Sequence, residues 1–158
     1  MPTHKPQRLT IHHTAVRQRP DLSLASKLQS MQAFSQREDK LADGSVKKAW
    51  ADVPYHFYVD VHGQVAEGRE LGFVGDTNTN YDPKGHIGIA LEGNFEREAP
   101  SDAQLSALIE ILTRLGKSHG LTKSQIATHQ HYASTACPGA NLIALIPSII
   151  TATDLPTA

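Results

Sequence analysis

Strand-like and helix-like segments alternate along this chain, and the alternation limits the folds open to it. Arg8 to Ala15 and His86 to Gly93 are rich in the β-branched and apolar residues typical of strands. Ser101 to Gly120 carries an apolar stripe at helical spacing behind a capping-box pattern, and Leu22 to Asp39 also predicts a helix. We therefore predict an α/β fold with a central mixed sheet flanked by helices.

The remaining segments fill in this pattern. We predict a loop over 40–53, a strand over 55–61, a short hairpin partner over 64–67, a long loop over 68–85, a strand over 126–129, a loop over 130–139 and a closing helix over 141–151. Neither an internal repeat nor a linker-like change of composition interrupts the chain. We expect one domain over residues 1–158, with its motif-bearing core at about 8–152.

Composition narrows the functional classes. A chain of 158 residues can bury a substantial core. The formal net charge is −1 and basic residues do not cluster, so we expect no nucleic-acid partner. The single cysteine, Cys137, excludes an internal disulfide and leaves a buried thiol, a nucleophile or a metal ligand. Nine histidines favour a metal without locating it.

Apolar runs are short throughout. The first residues contain none resembling a signal-peptide core, so we expect no signal peptide and synthesis in the cytoplasm. The longest run, Leu142 to Ile150, contains Pro147 and is too short for a bilayer, so we predict no membrane span.

Three residues predict a zinc site. His129 and Cys137 flank one loop, and imidazole and thiolate both suit tetrahedral zinc. Catalytic zinc needs a third protein ligand, and strand alternation places His12 on a polar face with Thr10. His13 is the rival ligand on the opposite face. Both histidines could instead be ordinary surface or core residues.

Four segments resemble one known family. They are similar to the type 2 N-acetylmuramoyl-L-alanine amidases, which include peptidoglycan recognition proteins and phage lysozyme-type amidases. Together the segments extend over most of the chain, from roughly residue 8 to 140. The matching stretches are Ile11–Ala15, Tyr55–Phe57, Gly85–Phe95 and the loop from His129 through Thr135 to Gly139.

The resemblance implies a zinc hydrolase that cuts the amide between N-acetylmuramic acid and L-alanine, a reaction of cell wall degradation and bacteriolytic enzymes. It assigns Zn²⁺ as cofactor, with His12, His129 and Cys137 as ligands. Tyr55 matches a tyrosine that assists the water, and Thr135 occupies a position where relatives carry threonine or lysine. Strict strand alternation offers a second interpretation of Tyr55, as a core residue beside Phe57.

The general base is a further question. Related recycling amidases carry a glutamate where this chain has Ala90. Glu92 lies two residues on and shares that strand face, so it could serve in catalysis. It could equally be a solvated or hydrogen-bonded residue. His131, two residues from His129, is an alternative ligand with different spacing to the cysteine.

Substrate contacts are expected around the predicted cleft. The candidates are His13, His56, Asn80, Tyr81 and His86. Many relatives carry a Val-Gly-Ala/Ser-His segment in the long loop. Here Val74-Gly75-Asp76-Thr77 replaces it, which puts the details of substrate binding in doubt.

Peptidoglycan or muropeptides are the partners that the resemblance implies. The sequence is compatible with three kinds of enzyme: an endolysin, a toxin delivered by a secretion system, or an enzyme acting on recycled muropeptides in the cytoplasm. A delivered toxin would add an immunity or inhibitor protein as partner. Two other functions stay open: a module that binds peptidoglycan without cutting it, and a zinc peptidase cutting within the stem peptide.

Overall fold

Five strands form one mixed sheet in a computed structural model that describes all 158 residues. The strands are β1 (Arg8–His13), β4 (Phe57–Val59), β5 (Val65–Glu67), β6 (His86–Leu91) and β7 (Ile126–Thr128). Their order in the sheet is β5-β4-β6-β1-β7. β4, β6, β1 and β7 run parallel, and β5 pairs with β4 in the antiparallel direction. The predicted mixed sheet is therefore confirmed.

The other elements lie around this sheet. A separate two-stranded hairpin consists of β2 (Asp39–Lys40) and β3 (Val46–Lys47). The helices are α1 (Leu24–Ser35), α2 (Asp102–His119), α3 (His129–Tyr132), α4 (Ala140–Ile143) and α5 (Ile146–Ala152), with a 3₁₀ turn at Lys123–Gln125. None of these helices combines the length and apolar character needed to cross a bilayer.

Strand β1 separates the core from the opposite face of the sheet. Leu9 and Ile11 are fully buried in the main hydrophobic cluster, as the period-two pattern predicts. Thr10 and His12 are buried as well, but they are absent from that cluster. Burial of polar side chains is costly unless they have polar partners, so we expect such partners, and a functional site, on the second face of β1.

Helix α2 covers the core side. Ser101 and Gln104 complete the predicted capping box, and Gly120 ends the helix in the left-handed conformation with φ of 63°. Leu108 and Leu112 are fully buried in the hydrophobic cluster. The long helix was predictable because its start, its stripe and its end are all encoded locally.

Three local predictions were wrong. The closing helix is divided into α4 and α5, with Pro147 in the first turn of α5, a position where its missing N–H costs nothing. The loop expected over 130–139 opens with the short helix α3. The loop expected over 40–53 contains part of the β2–β3 hairpin, where buried Nζ of Lys47 donates to the carbonyls of Ser35, Arg37 and Lys48.

Candidate metal centre

The pairing of β1 with β7 brings two histidines together. Ile11 is the register partner of Thr128, and each is followed at once by a histidine, His12 or His129. The two imidazole ring centroids lie 4.7 Å apart. Both residues lie toward the carboxyl ends of parallel strands, where ligand sites of open α/β sheets are commonly found.

Cys137 reaches the same place from the last loop. Its Sγ lies 3.8 Å from Nδ1 of His12, and it accepts a 3.4 Å hydrogen bond from the backbone N–H of His13. Gly139 holds this loop close to the sheet. With φ of 93° it is in a region that favours glycine, and a Cβ there would lie 2.6 Å from the carbonyl carbon of Phe95.

The three side chains fit a zinc ion. One ligand atom from each of His12, His129 and Cys137 lies within 4.8 Å of the others. In a tetrahedral site with Zn–S of about 2.3 Å and Zn–N of about 2.0–2.1 Å, nitrogen and sulfur are about 3.6 Å apart. The 3.8 Å between Cys137 Sγ and His12 Nδ1 is compatible with that geometry. Two imidazoles and one thiolate leave a fourth position for a non-protein ligand.

Burial sets the protonation states of these groups. It lowers the pKa of His129 to about 4 and that of His12 well below its ordinary value, where the neighbouring His129 also contributes. Both imidazoles are therefore neutral near pH 7, the form that binds metals. Burial also raises the pKa of the Cys137 thiol to about 12. A cation is the natural partner for such a thiol, because coordination removes its proton.

Tyr55 lies against His12 and not in the hydrophobic core. Its ring centroid is 5.0 Å from that of His12, and it is absent from the core cluster that contains Phe57. Gly88 of the intervening strand β6 makes this approach possible. A Cβ on Gly88 would lie 3.5 Å from Cδ1 of Tyr55 and 3.8 Å from Nε2 of His12. Gly88 lies within the family-like stretch Gly85–Phe95, but the sequence did not indicate this role for it.

Thr135 is tied to the cysteine loop. Its Oγ1 accepts a 3.2 Å hydrogen bond from the backbone N–H of Cys137. The hydroxyl retains its own proton for a further donor interaction. The structure thus places this predicted site residue two positions from Cys137 with its hydroxyl directed at the Cys137 backbone.

Aromatic rings extend the site beyond His129. Tyr81 lies 5.3 Å from His129 and 5.1 Å from His86, measured between ring centroids. Tyr132 stacks on Tyr81 at 5.8 Å and meets the edge of His86 at 4.6 Å. Of the predicted substrate contacts, Tyr81 therefore lies beside the metal centre and is partly exposed. Tyr132 was not among the residues singled out from sequence.

Thr79 is a second residue that sequence reasoning missed. Its Oγ1 forms a 2.6 Å hydrogen bond with Nε2 of His129. The only signal available was its position in a long polar loop, which does not distinguish it from its neighbours Asn78 and Asn80. Asn80, a predicted substrate contact, is exposed and makes no hydrogen bond.

The structure does not bring Glu92 to the metal centre. Its Oε1 accepts from Nζ of Lys27 at 2.9 Å and from the N–H of Val61 at 2.8 Å, while Oε2 accepts from the N–H of Arg19 at 2.9 Å. Lys27 is buried too and lies 3.5 Å from Asp60. The expectation that Glu92 acts in catalysis is corrected: both oxygens are committed to a buried structural network.

His13 and His56, two of the predicted substrate contacts, hydrogen-bond to the backbone of the protein itself. His13 is buried, and its Nδ1 accepts from the N–H of Phe95 at 3.2 Å. His56 is also buried; its Nδ1 accepts from the N–H of Gly88 at 3.0 Å, and its Nε2 donates to the carbonyl of Phe73 at 2.8 Å. Both ring nitrogens of His56 are therefore occupied, and His13 is held through its Nδ1.

Two further histidines lie outside the three-residue cluster. His86 is buried, and its Nδ1 forms a 2.7 Å hydrogen bond with Oγ1 of Thr10. Its ring packs against Tyr81 and Tyr132 instead of facing solvent. His131, the alternative ligand, is exposed and packs edge-on against Tyr132. It does not belong to the three-residue cluster.

The α/β sheet thus gathers two histidines and a cysteine near the carboxyl ends of its parallel strands, in a group that could hold a metal ion. The family model described as N-acetylmuramoyl-L-alanine amidase matches residues 2–140. This chain therefore belongs to the N-acetylmuramoyl-L-alanine amidase family.

Individual relatives agree with this assignment. An N-acetylmuramoyl-L-alanine amidase of Sus scrofa is 35% identical over 136 residues, which are 83% of this chain but only 21% of the pig protein. The crystal structure of Drosophila peptidoglycan recognition protein SD has a TM-score of 0.76 and 28% identity, covering 92% of this chain and 84% of that one. Peptidoglycan recognition protein LE, solved in complex with tracheal cytotoxin, has a TM-score of 0.76 and 26% identity, covering 94% and 83%.

Proposed function

We propose that this protein is a zinc-dependent amidase that hydrolyses the bond between N-acetylmuramic acid and L-alanine in peptidoglycan or muropeptides. One observation carries the proposal: the donor atoms of His12, His129 and Cys137 converge within 4.8 Å. Family membership supplies the substrate class, and this donor set supplies a means of catalysis. A module that only binds glycan or peptide has no need for such a cluster.

The protein groups around the centre have distinct roles in this proposal. When bound, zinc supplies Lewis-acid activation of water and of the scissile carbonyl. Burial raises the pKa of Tyr55 far above neutrality, so its phenol stays protonated and can donate a hydrogen bond to the attacking water or to the developing oxyanion. Thr135 orients the Cys137 backbone and can donate its own proton toward the same region.

The aromatic residues beside the centre suit a sugar–peptide substrate. Tyr132 stacks on Tyr81 at 5.8 Å, and Tyr81 lies next to His129. Aromatic faces pack against the apolar faces of sugars and peptides while their hydroxyls stay available for hydrogen bonds. The relative solved with tracheal cytotoxin, a monomeric diaminopimelic acid-type peptidoglycan, supports the same class of ligand for this site.

A binding-only recognition module is the second candidate. The structural similarity to recognition protein SD, with its TM-score of 0.76, favours it as an alternative because that relative is named for recognition. The presence of both histidines and the cysteine in one cluster, with Tyr55 against His12, argues for the enzyme. The two functions differ in a measurable product.

Digestion of purified sacculi tests the proposal. The protein is incubated with sacculi with and without a zinc chelator, and soluble fragments are identified by mass spectrometry. His129→Ala is the ligand variant, and His131→Ala is its matched control, since His131 is an exposed histidine of the same short helix outside the cluster.

We expect intact stem peptides beginning with L-alanine from the wild type and from His131→Ala, and none after chelation or from His129→Ala. Binding to sacculi without any released peptide would identify a recognition module. Fragments cut within the stem peptide or its cross-bridges would identify a peptidase. Either result would overturn the proposed amidase.

A further inference from the structure

The long loop beside the metal centre is anchored at its base by a buried arginine. Nη1 of Arg69 donates to the carbonyl of Val74 at 2.7 Å and pairs with Oδ2 of Asp76 at 2.7 Å. Its Nη2 donates to the carbonyl of Asp52 at 2.9 Å. The Arg69 side chain is only 2% exposed, so these contacts fix the start of the loop against the body of the protein.

Two threonine hydroxyls continue from this anchor toward the metal centre. Oγ1 of Thr77 lies 2.8 Å from Oγ1 of Thr79 and accepts a 3.1 Å hydrogen bond from the Thr79 N–H. Oγ1 of Thr79 then meets Nε2 of His129 at 2.6 Å. A continuous chain of polar contacts therefore links the anchored loop to a ring nitrogen of one candidate ligand.

The proton positions along this chain follow from the chemistry of imidazole. A neutral histidine that binds a metal through one nitrogen carries its proton on the other. With Nε2 directed at Thr79, that nitrogen would donate to Thr79 Oγ1, and Nδ1 would be the ligand atom. The Thr79 hydroxyl would donate in turn to Thr77 Oγ1, so the Nε2 proton of His129 and the hydroxyl proton of Thr79 both have an acceptor.

We propose that Thr79 is a positioning residue for the metal site, selecting Nδ1 of His129 as the ligand atom and holding its ring in the orientation that zinc needs. The Arg69–Asp76 anchor and Thr77 give the Thr79 hydroxyl its fixed place. The inference rests on the proposed zinc site and adds to it residues from the long loop over 68–85. Partners of this kind typically contribute about 10- to 100-fold in metal affinity.

Zinc affinity measured by competition with a chromophoric chelator tests this role. Thr79→Val removes the hydroxyl at nearly constant volume, whereas Thr79→Ser keeps it. Asn80→Ala is the control in the same loop. We expect zinc to bind about 10- to 100-fold more weakly to Thr79→Val, and with near wild-type affinity to the other two. Circular dichroism checks that each variant is folded.

A spectroscopic measurement on the wild type tests the same inference without any substitution. Long-range ¹H–¹⁵N NMR of the zinc-loaded protein shows which nitrogen of each histidine carries the proton, and we expect Nε2 for His129. A proton on Nδ1 of His129, or equal zinc affinity of wild type and Thr79→Val, would overturn the role of Thr79 while leaving the zinc site intact. A wild type that binds no zinc would overturn the site and this inference together.

Discussion

The sulfur of Cys137 lies 3.8 Å from Nδ1 of His12, although 125 positions separate the two residues. The contact depends on β1 lying between β6 and β7, and on a last loop that folds back over the end of β1. Because His129 follows the strand paired with β1, the sheet register completes the group of three. The fold thus assembles the candidate centre from both ends of the chain.

Tyr55→Phe tests the proton donor. The ring should still pack against His12, so zinc binding should be unchanged, while loss of the phenol should lower kcat by about 100-fold. Steady-state kinetics on a soluble muropeptide and a zinc titration check both parts. An unchanged kcat would remove Tyr55 from the mechanism, and loss of zinc would show that its role is to support His12.

Gly88 tests the route by which Tyr55 reaches His12. A Cβ there meets only ordinary van der Waals contacts, so Gly88→Ala should retain most activity. Gly88→Val adds two methyl groups between Tyr55 and His12 and should displace the tyrosine ring, lowering kcat as much as Tyr55→Phe does. Equal activity of the Ala and Val variants would contradict the crossing of Tyr55 over this glycine.

Glu92→Gln distinguishes a structural role from a catalytic one. The change leaves Asp60, 3.5 Å away, as the one carboxylate beside the buried Lys27 ammonium, and replaces a charge-assisted hydrogen bond by a neutral one. The free energy of unfolding should therefore fall by about 1.5–3 kcal/mol. Activity per folded molecule should stay near that of the wild type at a temperature where both are folded. Denaturant unfolding and kcat measure the two quantities; a large fall in kcat with unchanged stability would restore Glu92 as a catalytic candidate.

His56 predicts a loss of stability at acid pH. Burial lowers its pKa from 6.5 to about 4, so the unfolded chain takes up a proton before the folded chain does. The contribution to the free energy of unfolding is complete above pH 6.5 and is lost as the pH falls to 4, amounting to at most about 3 kcal/mol.

The matched variant for this prediction is His56→Gln. Its unfolding free energy should fall less steeply between pH 6.5 and 4 than that of the wild type, because the titrating group is gone. His86, whose pKa burial also lowers to about 4, remains in both proteins and cancels in the comparison. Parallel curves for the two proteins would contradict a neutral, buried His56.

Features encoded locally were predictable from sequence. The capping box at Ser101 and the left-handed Gly120 fixed the bounds of α2, and alternation along β1 correctly separated His12 from Leu9 and Ile11. The period-two rule also predicted that Glu92 shares a strand face with Ala90. It could not indicate what covers that face, and Lys27, 65 positions earlier in the chain, arrives there from α1.

Features that depend on irregular backbone were not predictable. Alternation fails before β4 begins at Phe57, so Tyr55 lies beside His12 although the period-two rule groups it with core residues. The hydrogen bond between Thr79 and His129 spans 50 positions and follows from a loop path that no local pattern specifies. Sequence thus indicated the three candidate ligands but not the residues that orient them.

X-ray absorption at the zinc edge tests most directly the claim that His12, His129 and Cys137 hold the metal. For the purified zinc-loaded protein we expect one sulfur at about 2.3 Å and nitrogen or oxygen ligands at about 2.0–2.1 Å. In Cys137→Ala the sulfur shell should disappear together with tight zinc binding. A wild-type spectrum without sulfur, or a Cys137→Ala variant that binds zinc as tightly as the wild type, would contradict the account.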